Sequence, residues 1–314
     1  MVILITGGAG YIGSQLMLDL AAHPSFKGST IRVMDNMFRE KFCTYWNLPT
    51  GVKVEVIDGD IRKEADLERA FKDVDIVFDL AGITNAPISF ERKELTMDIN
   101  VSGGQKVAAW CRKNNALLVY ASSASAYGPT KEIVNEESPL RPASPYGESK
   151  VQMEQHLTLE AKSGLRTIIY RLGTVYGWSP GMRFDTVVDK FTYFACIGQP
   201  LTVYKNALVE ARPYAHVRDV TAALIFAVEN EKRMQGQIYN VISKNAGIQE
   251  VVDAIKKYLP ETKSIVTETA NLNQLSYVLD DRKLAALGFK PKYSMEDGIR
   301  EIIEKFKGVT PMKP

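Results

Sequence analysis

Met1-Val2-Ile3-Leu4-Ile5-Thr6-Gly7-Gly8-Ala9-Gly10-Tyr11-Ile12-Gly13 opens the chain and decides its fold. A short apolar, β-branched run reads as a buried strand. Glycines at 7, 10 and 13 break it, and a helical pattern begins at Ser14-Gln15-Leu16-Met17-Leu18. Strand, glycine turn and helix in that order make a dinucleotide cradle. Gly7 takes positive φ, Gly10 lets backbone amides approach a pyrophosphate, and Gly13 lets the helix pack closely on the strand. The helix N-terminus then faces the phosphates with unpaired N–H groups and a partial positive charge. A plain loop with no ligand can carry the same glycines, and the spacing is Gly-x-x-Gly-x-x-Gly, not the usual Gly-x-Gly-x-x-Gly. The next strand weakens that plain reading. Ile31-Arg32-Val33-Met34-Asp35 ends in an acid about 20 residues past the last glycine, where a carboxylate accepts the adenosine ribose hydroxyls. Asp35 would also repel a 2′-phosphate, so the expected cofactor is NAD, a preference that the nearby Arg39 moderates.

The 314 residues are 45% hydrophobic, enough to bury a large core and to form one sizeable domain with a smaller one. Net charge is +2 and no Lys/Arg block is long enough to make a basic stripe, so neither nucleic acid nor a membrane is expected as a partner. The N-terminus enters a core strand directly, which leaves no room for a signal peptide, and no apolar run approaches the ~18 residues of a membrane span. A cytoplasmic protein is expected. Cys43, Cys111 and Cys196 are too far apart for a disulfide framework or a zinc site, and His23, His156 and His216 are too scattered for a local metal motif. No metal is expected.

Val52 to Ile57 alternates like a third strand and leads into Asp58-Gly59-Asp60-Ile61. Asp60 either accepts from the adenine amine, with Ile61 packed on the ring, or caps the helix that runs from Glu64 to Phe71. Val74 to Asp79 reads as a fourth strand that runs into Leu80-Ala81-Gly82, small residues that permit close approach to the cofactor. Thr84 and Asn85 follow at its carboxyl end, where ligands bind in open α/β sheets. A helix from about Asp98 to Lys113 carries Asn100, which either bridges that helix to a strand or faces solvent. The fifth strand, Ala116 to Ala121, ends in the hydroxyl cluster Ser122-Ser123-Ala124-Ser125. Ser144 is placed to cap a helix with Pro145 at its first position, and Gly164 to end it. A sixth strand is expected over Thr167 to Leu172. Strands alternating with helices over about 170 residues mean a doubly wound parallel sheet.

Tyr146 and Lys150 lie four apart, on one face of that helix. An unperturbed phenol, near pKa ~10, is a poor base at neutral pH and needs cations beside it. Lys150 supplies one and an oxidised nicotinamide a second, so Tyr146 can take a substrate hydroxyl proton while hydride leaves the same carbon. Ser123 is the natural third member, bonding the developing carbonyl oxygen. A Tyr and a Lys at this spacing are also common as a surface pair; their place after five βα units, beside a hydroxyl cluster, favours the catalytic reading.

With these motifs in this order, the chain resembles the extended short-chain dehydrogenase/reductase family, the NAD-dependent epimerases and dehydratases of nucleotide sugars. The resemblance covers nearly the whole length. It rests on residues 6–13, Asp35-Asn36, Asp60-Ile61, Leu80-Ala81-Gly82, Asn100-Val101-Ser102-Gly103, Ser122-Ser123 with Tyr127-Gly128, Tyr146 to Lys150, Arg171 to Gly177, and Arg212 to Val220. It implies a Rossmann fold with a smaller, discontinuous α/β substrate-binding domain. The expected division is 1–172 plus 213–240 for NAD, and 173–212 plus 241–314 for substrate. Cofactor binding is expected at Gly7, Gly10, Tyr11, Ile12, Asp35, Asn36, Asp60, Ile61, Leu80, Ala81, Gly82, Asn100, Tyr146 and Lys150. Catalysis is expected from Ser123, Tyr146 and Lys150.

In that family the 4,6-dehydratases follow the catalytic hydroxyl residue with an Asp-Glu pair, because losing water needs a further acid and base. Ala124 and Ser125 stand there, which leaves chemistry needing hydride transfer alone. The expected activity is NAD-dependent C4 epimerisation of a nucleotide-diphosphate sugar through a 4-keto intermediate. The alternatives are net C4 oxidation or reduction, then a 4,6-dehydratase or a non-catalytic NAD-binding module. Substrate contacts are expected from Thr84, Ser123, Ser125, Thr174, Arg183 and Arg212. Thr174 replaces the family's usual Asn. Arg212 matches one pyrophosphate-binding arginine, or else partners Asp219 or another acid. The second arginine is missing from Asn271-Leu272-Asn273-Gln274-Leu275-Ser276, and Arg183 is the candidate replacement. A homodimer is implied, formed through the helices containing Asn100 and Tyr146.

Overall fold

The computed structural model describes residues 1–46, 48–268 and 277–309. Five strands, β1 (Val2–Thr6), β2 (Thr30–Asp35), β3 (Lys53–Asp58), β4 (Ile76–Asp79) and β5 (Leu117–Ser123), join Thr167–Leu172 and Ile238–Val241 in one sheet. From one edge the order is Ile238–Val241, Thr167–Leu172, β5, β4, β1, β2, β3, and every pairing is parallel. Winding reverses between β1 and β4, so a crevice opens at their carboxyl ends. Alternate residues face two cores. Ile3, Ile5, Val33, Phe78 and Val119 pack on one side; Leu4, Met34, Val77, Leu118 and Tyr120 pack on the other. Both faces are buried, which is why the strands read as nearly continuous apolar runs.

The expected helices form close to their anticipated bounds. Helix α1 spans Tyr11–Ala22; Pro145–Lys162 has Ser144 as N-cap, its hydroxyl accepting from Gly147 N–H at 3.1 Å, and Gly164 follows its end at φ +99°. Glu64–Ala70 is capped at Lys63 and not by the Asp60 side chain. The helix expected from Asp98 begins as a π-helical turn, Asp98–Gly103, before regular α-helix over Gly104–Asn114.

The smaller lobe has its own core around Tyr176, Val188, Phe191, Tyr214, Val251 and Ile299. Its three-stranded sheet joins Thr174–Tyr176, Ala211–His216 and Lys244–Gly247. Here the expected boundaries need correction. Residues 213–216, assigned above to the cofactor part, pair Tyr214 with Thr174 and His216 with Tyr176 in the small sheet. The chain rejoins the larger lobe one residue later, at Val217–Glu229, which packs on α1. A cut at 213 runs through the middle of a strand that contributes Tyr214 to the small-lobe core and Ala215 to the core of the larger lobe. Val241, one residue past the expected limit of 240, pairs with Leu172 in the large sheet.

Cys43, Cys111 and Cys196 are free thiols. Among the described residues no helix is long and apolar enough to cross a membrane, and no three His, Cys, Asp or Glu side chains gather as a metal site.

Candidate active site

A cleft of about 320 Å³ lies at the carboxyl ends of β1, β2, β4 and β5. The glycine turn forms one wall. Gly7 sits at φ +67°, and a Cβ there would lie 2.8 Å from the Leu80 carbonyl. A Cβ on Gly13 would lie 2.6 Å from the Gly7 carbonyl, so this glycine lets α1 close on the turn itself. Both positions are closed to side chains, which leaves the backbone free to face a ligand. At the end of β2, Asp35 accepts from Ala9 N–H at 3.1 Å and Met37 N–H at 2.9 Å, and burial raises its carboxyl. Asn36 donates to Asp60 at 3.2 Å; the Arg62 guanidinium beside Asp60 pushes that carboxyl down to about 2.

The wall from β4 is held from behind. Thr6 donates to Asp79 at 2.5 Å across the β1–β4 pair, and Ala81 N–H returns to Thr6 Oγ1 at 3.3 Å. Asn100 accepts from Ile83 N–H at 2.8 Å, donates to the Ile83 carbonyl at 2.9 Å and donates to Ser149 at 3.0 Å. The wide π turn presents Asn100 to this loop. Of the two readings left open for it, the bridge is correct. It braces the wall directly behind Gly82 and Ile83.

Tyr146, Lys150 and Ser123 come together at the inner end. Ser123 stands beside Tyr146 in this group. Burial raises the Tyr146 phenol; the Ser123 hydroxyl and the positive charge of Arg183 oppose it. The Lys150 ammonium lies 6.0 Å from the Tyr146 ring centroid, donates to the Ala121 carbonyl at 2.8 Å and to Tyr120 Oη at 3.1 Å, and is pushed by burial down to about 8. Asp79 and Glu154 oppose that shift. Glu154 also accepts from Ser122 and pairs with Arg171 at 2.7 Å; Arg171 donates to Tyr127 Oη at 2.9 Å. Glu154 and Arg171 are almost wholly buried, and their bonds to one another offset much of the cost of hiding two charges.

Gly7, Gly10, Tyr11, Ile12, Asp35, Asn36, Asp60, Ile61, Leu80, Ala81 and Gly82 line this one cleft, together with Thr84, Ser125, Thr174 and Arg183. Arg183 donates to Thr84 Oγ1 at 2.5 Å and pairs with Asp185 at 2.7 Å. Asn85 turns away to cap the helix Ala86–Glu91. Arg212 lies outside the lining, on the strand Ala211–His216, where its charge reaches Tyr277. Asp219 takes Ser243 Oγ at 2.6 Å and Lys292 N–H at 2.7 Å. The stretch Asn271 to Ser276 lies outside the described residues.

Two residues at the site have no motif to announce them. Tyr277 is buried and lines the cleft with Ser125, and Tyr120 meets Lys150 from inside β5. The first follows an unpatterned stretch; the second reads as an ordinary core aromatic.

Residues 3–241 match the NAD dependent epimerase/dehydratase family, and the chain belongs to it. Among solved structures it is similar to a UDP-glucose 4-epimerase of Thermus thermophilus in complex with NAD, with 31% identity, TM-score 0.83, and 99% and 100% of the two chains covered. A CDP-paratose 2-epimerase of Salmonella typhi is 26% identical over 97% of this chain and 98% of its own. A human dTDP-D-glucose 4,6-dehydratase is 25% identical over 97% and 89%. The protein is thus an NAD-dependent enzyme. Its own cradle fits that cofactor: a side-chain-free turn at a helix N-terminus, with an acid at the end of the next strand.

Proposed function

We propose that the protein is a nucleotide-sugar epimerase that oxidises C4 to a ketone and reduces it again from the other face. The convergence of Tyr146, Lys150 and Ser123, with Ala124 beside them where a dehydratase needs an acid, carries this reading. Bound NAD supplies the hydride acceptor and donor. Tyr146 takes the proton from the 4-hydroxyl and later returns it. Ser123, beside Tyr146, holds the 4-oxygen in line with the phenol. Lys150 has used two of its N–H groups on Ala121 and Tyr120, and its third reaches for a ribose hydroxyl while its charge favours phenolate. Arg183 adds a second positive charge beside the phenol and, with Thr84, faces the sugar diphosphate. Ser125 and Thr174 supply sugar contacts. The larger lobe binds cofactor and the smaller presents substrate.

A cytoplasmic homodimer is the setting we infer. Its free cysteines suit a reducing compartment. The outer face shared by Gly104–Asn114 and Pro145–Lys162, where Leu159 is 63% exposed, is the pairing surface. Sedimentation at a single mass near the monomer would remove the dimer and leave the chemistry standing.

The reaction is tested with a panel of UDP-, GDP-, dTDP- and CDP-sugars, following product stereochemistry and absorbance at 340 nm. A C4 epimer with no net absorbance change is expected. Stoichiometric NADH formation or loss would replace epimerisation with net dehydrogenation or reduction, and a water-loss product would return the dehydratase.

A further inference from the structure

The segment between the strand Thr174–Tyr176 and the helix Val187–Cys196 does not stay with its own lobe. It crosses onto the start of α1 and lies over the glycine turn. The Tyr11 hydroxyl donates to the Gly177 carbonyl and to Asp189 Oδ2, the latter at 2.9 Å. Gly177 N–H donates to the other oxygen of the same carboxylate at 3.0 Å. Ser179 Oγ donates to the Tyr11 carbonyl at 2.8 Å, and Gly181 N–H donates to Ser14 Oγ at 2.8 Å. The approach is so close that a Cβ on Gly181 would collide with the carbonyl oxygens of Ala9 and Gly10. Further along, the Lys41 ammonium donates to the Met182 carbonyl.

Ser14, Ser179 and Asp189 are at most 1% exposed. Burying a carboxylate and two hydroxyls is unfavourable unless each is hydrogen-bonded, and here the bonds join one lobe to the other. Burial pushes the Asp189 carboxyl up to about 7, so its hydrogen bonds from Tyr11, Gly177 and Thr186 are what sustain it in that position.

We propose that Gly177 to Arg183 is a strap that roofs the pyrophosphate section of the NAD site and sets the rate of dinucleotide release, with Ser14, Ser179 and Asp189 as its positioning residues. The glycine turn is the floor and the strap is the roof. A dinucleotide between them leaves when the strap lifts, which breaks the bonds to α1 together. Loops held by few contacts open freely, whereas one tied by buried bonds opens rarely. The inference rests on the cleft being the NAD site and not on C4 epimerisation. Product stereochemistry decides the reaction and the release rate decides the strap, so either can fail alone.

The full-length protein is loaded with radiolabelled NAD and chased with excess unlabelled NAD, as wild type, Ser179→Ala and Asp189→Asn. Release about tenfold faster is expected in each variant, the effect of losing one buried hydrogen bond. In NAD-loaded wild type, the Gly177 and Gly181 amides should exchange with deuterium at the rate of dinucleotide release. This second measurement holds even if a variant fails to fold. A merely structural role would lower thermal stability without altering release. Release within about twofold of wild type in both variants, where a lost bond should give about tenfold, would overturn the proposal. So would strap amides that exchange many times for each dinucleotide lost.

Discussion

The floor and the roof of the cleft are built by different means. The floor is the end of a parallel sheet, where backbone pairing sets the spacing: Thr6 lies beside Met34 on one side and Asp79 on the other, and Ser123 beside Leu172. The roof is held by side-chain bonds between residues far apart in the chain, such as Tyr11 with Asp189 and Ser179 with the Tyr11 carbonyl. A position set by a strand's register shifts only if the sheet shifts. One set by a hydroxyl and a carboxylate can be lost by a single substitution.

Four experiments would break or sharpen that contrast. The largest effect is expected from Tyr146→Phe, which should lower turnover by about 10²- to 10⁴-fold, the usual contribution of a general base. Bound NAD measured after denaturation should be unchanged; losing it too would mean that the chemistry and the floor are not separate. Gly13→Val comes next. Its side chain meets the Gly7 carbonyl, so the purified protein should carry little NAD and lose stability on the order of 1–3 kcal/mol, read by denaturant titration. Retained NAD would show that the turn can move aside. Arg183→Ala takes a cation from the roof and leaves the floor intact. It should cost about tenfold to a hundredfold in kcat/KM, as removing a charged hydrogen bond does, with NAD content unaffected.

The smallest effect is a pH dependence. In the proposed mechanism Lys150 acts when charged, and burial brings its loss of charge down to about 8, so activity should fall as pH rises through that value. In Lys150→Arg the residual activity should lack this alkaline limb, because arginine keeps its proton. For stability the sign is opposite. Between about 8 and the ordinary lysine value of 10.5, the unfolded chain binds the proton that the folded chain has released, so this group's contribution to stability rises with pH there. A Tm series across that window, wild type against Lys150→Arg, measures it.

Much of the floor was legible in sequence for the same reason that it is robust. Gly7, Asp35, Ala81 and Ser123 each end an apolar run, and the rule that ligands sit at the carboxyl ends of parallel strands gathers them into one site. Tyr146 and Lys150 were legible because helical spacing places them on one face. Asn100 left two readings, because only the three-dimensional path shows that it meets Ile83. Tyr277 and Asp189 had no local signal: one precedes a two-residue strand, the other is an acid within an apolar helix. The lobe boundary was misplaced for a related reason. Tyr214 to His216 reads as strand, but periodicity does not say which sheet a strand joins.

Asp79, tied to Thr6 at the reversal of the sheet, gives Lys150 a second duty as counterion. Its carboxyl is wholly buried, burial raises it, and the Lys150 charge is among the influences holding it down. Lys150→Met would therefore remove the cation beside the phenol and also leave Asp79 with only its hydrogen bonds to offset burial, so its losses in turnover and in folding would be entangled. Adding Asp79→Asn, which keeps an acceptor for Thr6, separates them. Stability that returns in the double variant while turnover stays low would divide the electrostatic upkeep of the sheet from the chemistry above it.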